Sequence, residues 1–85
     1  MENKNMLRMA LKMLANAYES SAESYKFLTE AEKRNDEKCK SIWSKAFHRD
    51  YQKMNAYREM ISNLFDIDPE KMLTRNDVYE LIESL

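Results

Sequence analysis

The segment Lys33-Arg34-Asn35-Asp36-Glu37 changes from basic to acidic within five residues, near the middle of an 85-residue chain. Basic side chains stabilise the C-terminal end of a helix and acidic ones the N-terminal end, because each complements the helix dipole. Asn35 and Asp36 are also residue types that cap a helix N-terminus. The segment therefore predicts a tight reversal between two helices. The alternative is an unbroken rod of about 60 residues and about 90 Å, which only oligomerisation would keep soluble.

Apolar patterns on both sides of this segment predict two long helices. A row with heptad spacing predicts the first helix over about 5–34. A stripe from Cys39 to Phe65 predicts the second helix over about 36–65. If the chain reverses near Asn35, positions whose numbers sum to about 71 lie opposite each other, and large residues meet small ones. The row is Leu7, Leu11, Leu14, Tyr18, Ser21, Tyr25 and Leu28, with Ala10, Ala17, Ser24 and Ala31 along one flank.

The chain contains no glycine and a single proline, Pro69. Glycine is the usual residue where the backbone needs a positive φ, so almost no turns of that kind are expected. Asp68 and Pro69 mark a helix start, and two short helices are predicted over about 69–73 and 76–84. Because helices this short are unstable alone, they should dock on the hairpin end where both termini lie. The prediction is a single all-α domain over 1–85, with a hairpin over 5–65 and a C-terminal helical cap over 66–85.

Composition and motifs exclude several classes of function. A glycine-free chain lacks the loops that cradle phosphates, and the lone Cys39 and His48 cannot form a zinc site. The formal net charge is -1, which is unlike a strongly basic nucleic-acid binder. We expect no enzyme activity, no cofactor and no metal. Without disulfides a cytoplasmic location is expected. Arg8 and Lys12 interrupt the N-terminal apolar run, which favours an amphipathic helix over a signal peptide, and no run is long enough to span a membrane.

Asp50 is the one carboxylate predicted within the apolar stripe of the second helix. The register places it opposite Ser21, with Tyr18 and Tyr25 one turn to either side. A buried carboxylate needs polar partners, so these four residues are predicted to form a structural polar layer that fixes the helix register. His48-Arg49-Asp50 and Asn55 also match the kinase catalytic-loop pattern, but a helical position and the absence of a glycine-rich loop make this a chance match.

Six methionines besides the first fall in the terminal half of the hairpin or in the tail. Methionine is adaptable and common on surfaces that bind partners. Either the C-terminal helix covers these residues as core, or they form a dimer or partner surface. The predicted surface consists of Met6, Met9, Met13, Met60, Met72, Leu81 and Ile82.

A basic face of the second helix offers a different function. The face contains Lys38, Ser41, Lys45, His48, Arg49, Gln52 and Lys53. A homodimeric hairpin could contact nucleic acid through Lys45, His48, Arg49 and Lys53 of this face. Specific nucleic-acid binders usually have a pI above about 9, whereas this chain has a pI near 5.8, so this function is kept as the alternative.

The preferred prediction is a small cytosolic protein–protein interaction module. It would act as an adaptor, regulator or inhibitor by occupying a surface. Its size and lack of motifs also resemble those of accessory proteins of phages and mobile elements. Because a two-helix hairpin has one internal face, pairing into a homodimeric four-helix bundle is expected. Another protein is an expected partner, and a membrane is not.

Overall fold

Two long helices dominate the computed structural model, which describes residues 2–85 apart from the side chain of Glu2. Helix α1 covers Glu2–Lys33, α2 covers Glu37–Phe65, a 3₁₀ turn covers Pro69–Met72, and α3 covers Arg75–Glu83. The described part of the chain is 88% helical and contains no strand. The prediction of an all-α hairpin with short C-terminal helices is confirmed, and the unbroken rod is excluded.

The reversal between α1 and α2 is made without glycine. The Asp36 N–H donates to the Ala31 carbonyl at 3.0 Å, and the Asn35 N–H donates to the Glu32 carbonyl at 3.1 Å, which is a Schellman motif. Asn35 takes a left-handed φ of 55°, and Asp66 does so after α2 with a φ of 54°. Asn and Asp tolerate this region because their short polar side chains can bond locally. The two helix ends that need positive φ therefore use these residues.

Asp36 caps the N-terminus of α2. Its backbone is extended, and its carboxylate accepts a hydrogen bond from the Cys39 backbone N–H at 3.1 Å. This bond lowers the pKa of the Asp36 carboxyl below its ordinary value, because it stabilises the charged form. Of the two cap residues that the sequence offered, Asn35 ends the first helix and Asp36 begins the second.

The small flank of α1 faces α2. Ser24 on this flank is buried and its hydroxyl donates to Asp50 at 2.7 Å. Nearer the turn, the Phe27 ring stacks on Trp43 with centroids 4.7 Å apart. The numbers of these facing residues sum to between 70 and 74, close to the predicted register of about 71. Small residues on α1 let the two helices approach closely.

The C-terminal segment packs against α1, with no close backbone contact between α3 and α2 among the described residues. The Tyr18 hydroxyl donates to the Met72 carbonyl. The Tyr79 hydroxyl donates to the Glu19 carboxylate, which raises the pKa of Tyr79, and the Arg75 guanidinium lies 4.0 Å from the same carboxylate. The segment thus covers the flank of α1 that carries Tyr18.

A capping box begins α3. The Asp77 N–H donates to the Thr74 hydroxyl and the Thr74 N–H donates to the Asp77 carboxylate, both at 3.1 Å. This arrangement satisfies backbone donors that a nine-residue helix would otherwise leave unpaired. Packing on α1 then supplies the stability that so short a helix lacks by itself.

The core of the single chain is thin. Among the described residues, nine apolar ones are buried, and three of these are alanines. The molecule is elongated, with extents of 50 × 20 × 20 Å, so much apolar surface stays near solvent. The buried apolar residues are Leu11, Leu14, Ala15, Ala17, Ala31, Met54, Ile61, Met72 and Val78.

Candidate interaction surfaces

Three methionines form one exposed row on α1. Met6, Met9 and Met13 are separated by three and then four positions, which places them on one face of the helix. Their exposed fractions are 59%, 67% and 45%. By helical spacing this face lies on the flank of α1 opposite Tyr18, and the C-terminal segment covers the Tyr18 flank. These three methionines are therefore surface residues of the single chain rather than core.

A matching row on α2 continues this surface. Tyr57, Met60 and Leu64 follow one another at three and four positions. Tyr57 is half-buried, Met60 is 39% exposed and Leu64 is 70% exposed. A shallow cleft lined by both Met13 and Tyr57 joins the two rows. We call these six residues the Met-rich surface: Met6, Met9, Met13, Tyr57, Met60 and Leu64.

Two members of this surface, Tyr57 and Leu64, belong to the apolar stripe from Cys39 to Phe65, which predicts buried positions on the second helix. Their spacing from Met60 contains the signal, because residues at three and four positions lie on the same flank of a helix. The sequence did not show which flank of the stripe would remain uncovered.

Three residues assigned to the surface from sequence belong elsewhere. Met72 is fully buried, and its neighbours in the core include Val78. Leu81 and Ile82 are half-buried and pack against the same core from α3. The prediction that these three residues belong to the partner surface is therefore corrected. The physical reason is that α3 uses its apolar face to dock on the other flank of α1.

Asp50 makes a polar contact inside the hairpin, with a different partner from the one expected. Its carboxylate accepts from Ser24 at 2.7 Å. Ser21 is buried one turn away, and the contact belongs to the small flank of α1 rather than to the Leu row. Asp50 is half-buried and lines the cleft beside Lys53 and Tyr57.

The two predicted tyrosine members of the polar layer contact residues other than Asp50. Tyr18 bonds the Met72 carbonyl and accepts from the Arg58 guanidinium at 3.3 Å. Tyr25 is 57% exposed and packs against Phe47 with the rings tilted at 52° and their centroids 5.5 Å apart. The four-residue layer is therefore wrong. It separates into a Ser24–Asp50 pair and a Tyr18–Arg58 contact beneath the C-terminal segment.

All seven residues of the basic face of α2 are solvent-exposed, including Lys38 and Ser41 near the start of the helix. His48 and Gln52 are joined by a 3.1 Å hydrogen bond between their side chains. Among the described residues, no carboxylate lies within 4.0 Å of Lys45, Arg49 or Lys53. These cations therefore face solvent without a counter-charge in contact.

The described residues contain no group of three or more His, Cys, Asp or Glu side chains that could hold a metal ion. The Cys39 thiol is half-buried beside the Asp36 carboxylate, which raises the pKa of Cys39 and disfavours a reactive thiolate. None of the described helices combines the length and hydrophobicity needed to cross a membrane.

Comparison with known proteins finds no matching family model, no matching curated protein and no matching solved structure.

Proposed function

We propose that this chain is a protein–protein interaction module that pairs with a second copy through the Met-rich surface. The pair forms a four-helix bundle and acts as an adaptor, regulator or inhibitor by occupying a surface of another protein. The observation that carries this proposal is the exposure of apolar side chains from both α1 and α2 on the flank that α3 leaves open.

The size of the Met-rich surface is suited to reversible pairing. Five of its side chains are between 39% and 70% exposed in the single chain. Burying the exposed part of each contributes about 1 kcal/mol, so ten such side chains in a symmetric pair contribute on the order of 10 kcal/mol. Association costs roughly 4–15 kcal/mol. At the low end of this cost the net free energy of association is about −6 kcal/mol, which corresponds to a dissociation constant of roughly 40 μM, so the dimer forms at high micromolar concentration and dissociates on dilution.

A second copy is the preferred occupant because the single chain has so thin a core. In the part of the chain that the structure describes, five large side chains are fully buried, and small domains often compensate for such a deficit by oligomerising. The Met-rich surface also runs along two antiparallel helices. A two-fold axis across it would place the same side chains against each other, as in a symmetric helical bundle.

The test is the oligomeric state of a double variant, Met9→Asp with Met13→Asp. Each substitution places a charge in a surface that pairing would desolvate. Light scattering should show a dimer for the unmodified protein at high micromolar concentration and a monomer for the variant. The matched control is Leu73→Asp, which changes an equally exposed apolar residue outside the surface and should leave the dimer intact.

Two outcomes would contradict this proposal. The first is a monomeric unmodified protein at high micromolar concentration. The second is a double variant that remains dimeric while its far-UV spectrum stays helical. Capture of a protein from host lysate by the unmodified chain, and its loss in the double variant, would then assign the surface to a different partner.

A further inference from the structure

Charge is distributed very unevenly along this nearly neutral chain. The segment from Lys38 to Arg58 contains six basic residues and one acidic residue, whereas residues 66–85 contain two basic and six acidic residues. Local charge of this kind creates a directional field even when the net charge is small. The sequence pI of 5.8 therefore says little about what α2 itself can bind.

The single acidic residue of that segment is engaged inside the hairpin and forms no ion pair with the basic face among the described residues. Asp50 is held inside the hairpin by its 2.7 Å hydrogen bond from Ser24, so it does not neutralise the outer side of α2. Lys45, Arg49 and Lys53 recur at four-residue steps, about 6 Å apart along the helix axis. With Lys38, they extend the positive row over about 22 Å of axis.

We propose that this basic face binds the sugar–phosphate backbone of nucleic acid without reading sequence. The polar residues between the cations, Ser41, His48 and Gln52, can donate hydrogen bonds to phosphate oxygens. Apart from Ile42 at its margin, the face has no large apolar side chain. A protein partner would require such anchors, because binding energy at protein interfaces concentrates in buried aromatic and apolar residues.

This binding is independent of self-association. The basic face lies on the side of α2 turned away from α1, whereas the Met-rich surface lies along the groove between the helices. Lys53 borders both regions because it also lines the cleft beside Tyr57. Lys38, Lys45 and Arg49 lie clear of the Met-rich surface, so their replacement tests the basic face alone.

The experiment measures binding to a fluorescein-labelled DNA duplex of mixed sequence by anisotropy, as a function of salt. Four phosphate contacts predict a log–log slope of about −3.6 per protomer, or a loss of about 150-fold in affinity between 50 and 200 mM salt. The variant has Lys38→Gln, Lys45→Gln and Arg49→Gln. The log–log slope of this triple variant should weaken from about −3.6 to about −0.9, because only the contact made by Lys53 remains.

A control with the same loss of charge has Lys4→Gln, Lys12→Gln and Lys26→Gln, all at exposed positions of α1. It should retain the slope and affinity of the unmodified protein. Sedimentation of each variant separates this test from self-association, since neither set should change the oligomeric state. No binding at 50 mM salt, or an equal loss in both variants, would overturn the assignment. Polyglutamate competing as well as DNA would overturn it in favour of an acidic protein.

Discussion

Replacing Asn35 with glycine should stabilise the protein, because the backbone at this position is left-handed. A residue with a Cβ atom pays roughly 1–2 kcal/mol for this conformation, and asparagine pays somewhat less than most. Glycine avoids the cost but loses about 0.4–1 kcal/mol through the greater entropy of its unfolded chain. The net gain for Asn35→Gly is therefore between about 0 and 1 kcal/mol, whereas Asn35→Val should lose about 1–2 kcal/mol.

Thermal and urea unfolding followed by far-UV circular dichroism measure these changes. For a domain of this size, about 1 kcal/mol shifts Tm by roughly 4–8 °C. All samples must be compared at one protein concentration, because self-association raises apparent stability. The control is Asn63→Gly, at an exposed position inside α2, which should lose a few tenths of a kcal/mol through lower helix propensity.

The opposite signs at the two asparagines are the decisive comparison. If Asn35→Gly destabilises the protein as much as Asn63→Gly does, position 35 is helical. The tight reversal would then be wrong, and the continuous rod would be the better description of the chain.

Two further predictions concern carboxylates. Asp50→Asn should lower the free energy of unfolding by about 1 kcal/mol, because a neutral acceptor replaces a charged one for the Ser24 hydroxyl. Urea unfolding of Asp50→Asn, Ser24→Ala and the double variant measures the coupling energy between the two side chains. A coupling energy of zero would show that their contact contributes nothing to stability. The folded-state pKa of Asp36 lies below its ordinary value of 3.8, so its stabilising contribution is present above that value and is lost as the pH falls through the lower folded pKa. The Tm difference between the unmodified protein and Asp36→Asn should therefore shrink on acidification below about pH 3.8, and a difference that is constant down to pH 2 would contradict this linkage.

The helix boundaries were predictable because local chemistry determines them. The change of charge sign around Asn35 and the Asp68–Pro69 pair each mark a helix end through effects that act within one or two turns. The register was predictable as well, since the length of the reversal fixes which residues of two antiparallel helices face each other. The exposed basic face also followed from spacing alone.

The packing side of α3 was not predictable from the same information. Helix α1 has apolar or small residues on more than half of its circumference, so either flank could receive a short apolar helix. The outcome depends on contacts between distant positions, among them Tyr79 with Glu19 and Tyr18 with Met72. The flank on which α3 packs decides which methionines are exposed. Met72 is therefore buried, against the prediction from sequence, whereas Met9 is exposed as predicted.

Because Trp43 stacks on Phe27, its fluorescence reports on the turn end of the hairpin. Trp43 is the only tryptophan, and it lies near the turn, whereas the C-terminal segment packs around Glu19. The fluorescence emission of Trp43 should change when the turn end of the hairpin opens. It should not change when α3 detaches. Agreement between melting curves followed by tryptophan emission and by circular dichroism would therefore show that both ends melt as one cooperative unit. A circular dichroism signal that falls first would reveal a C-terminal segment that detaches while the hairpin stays folded.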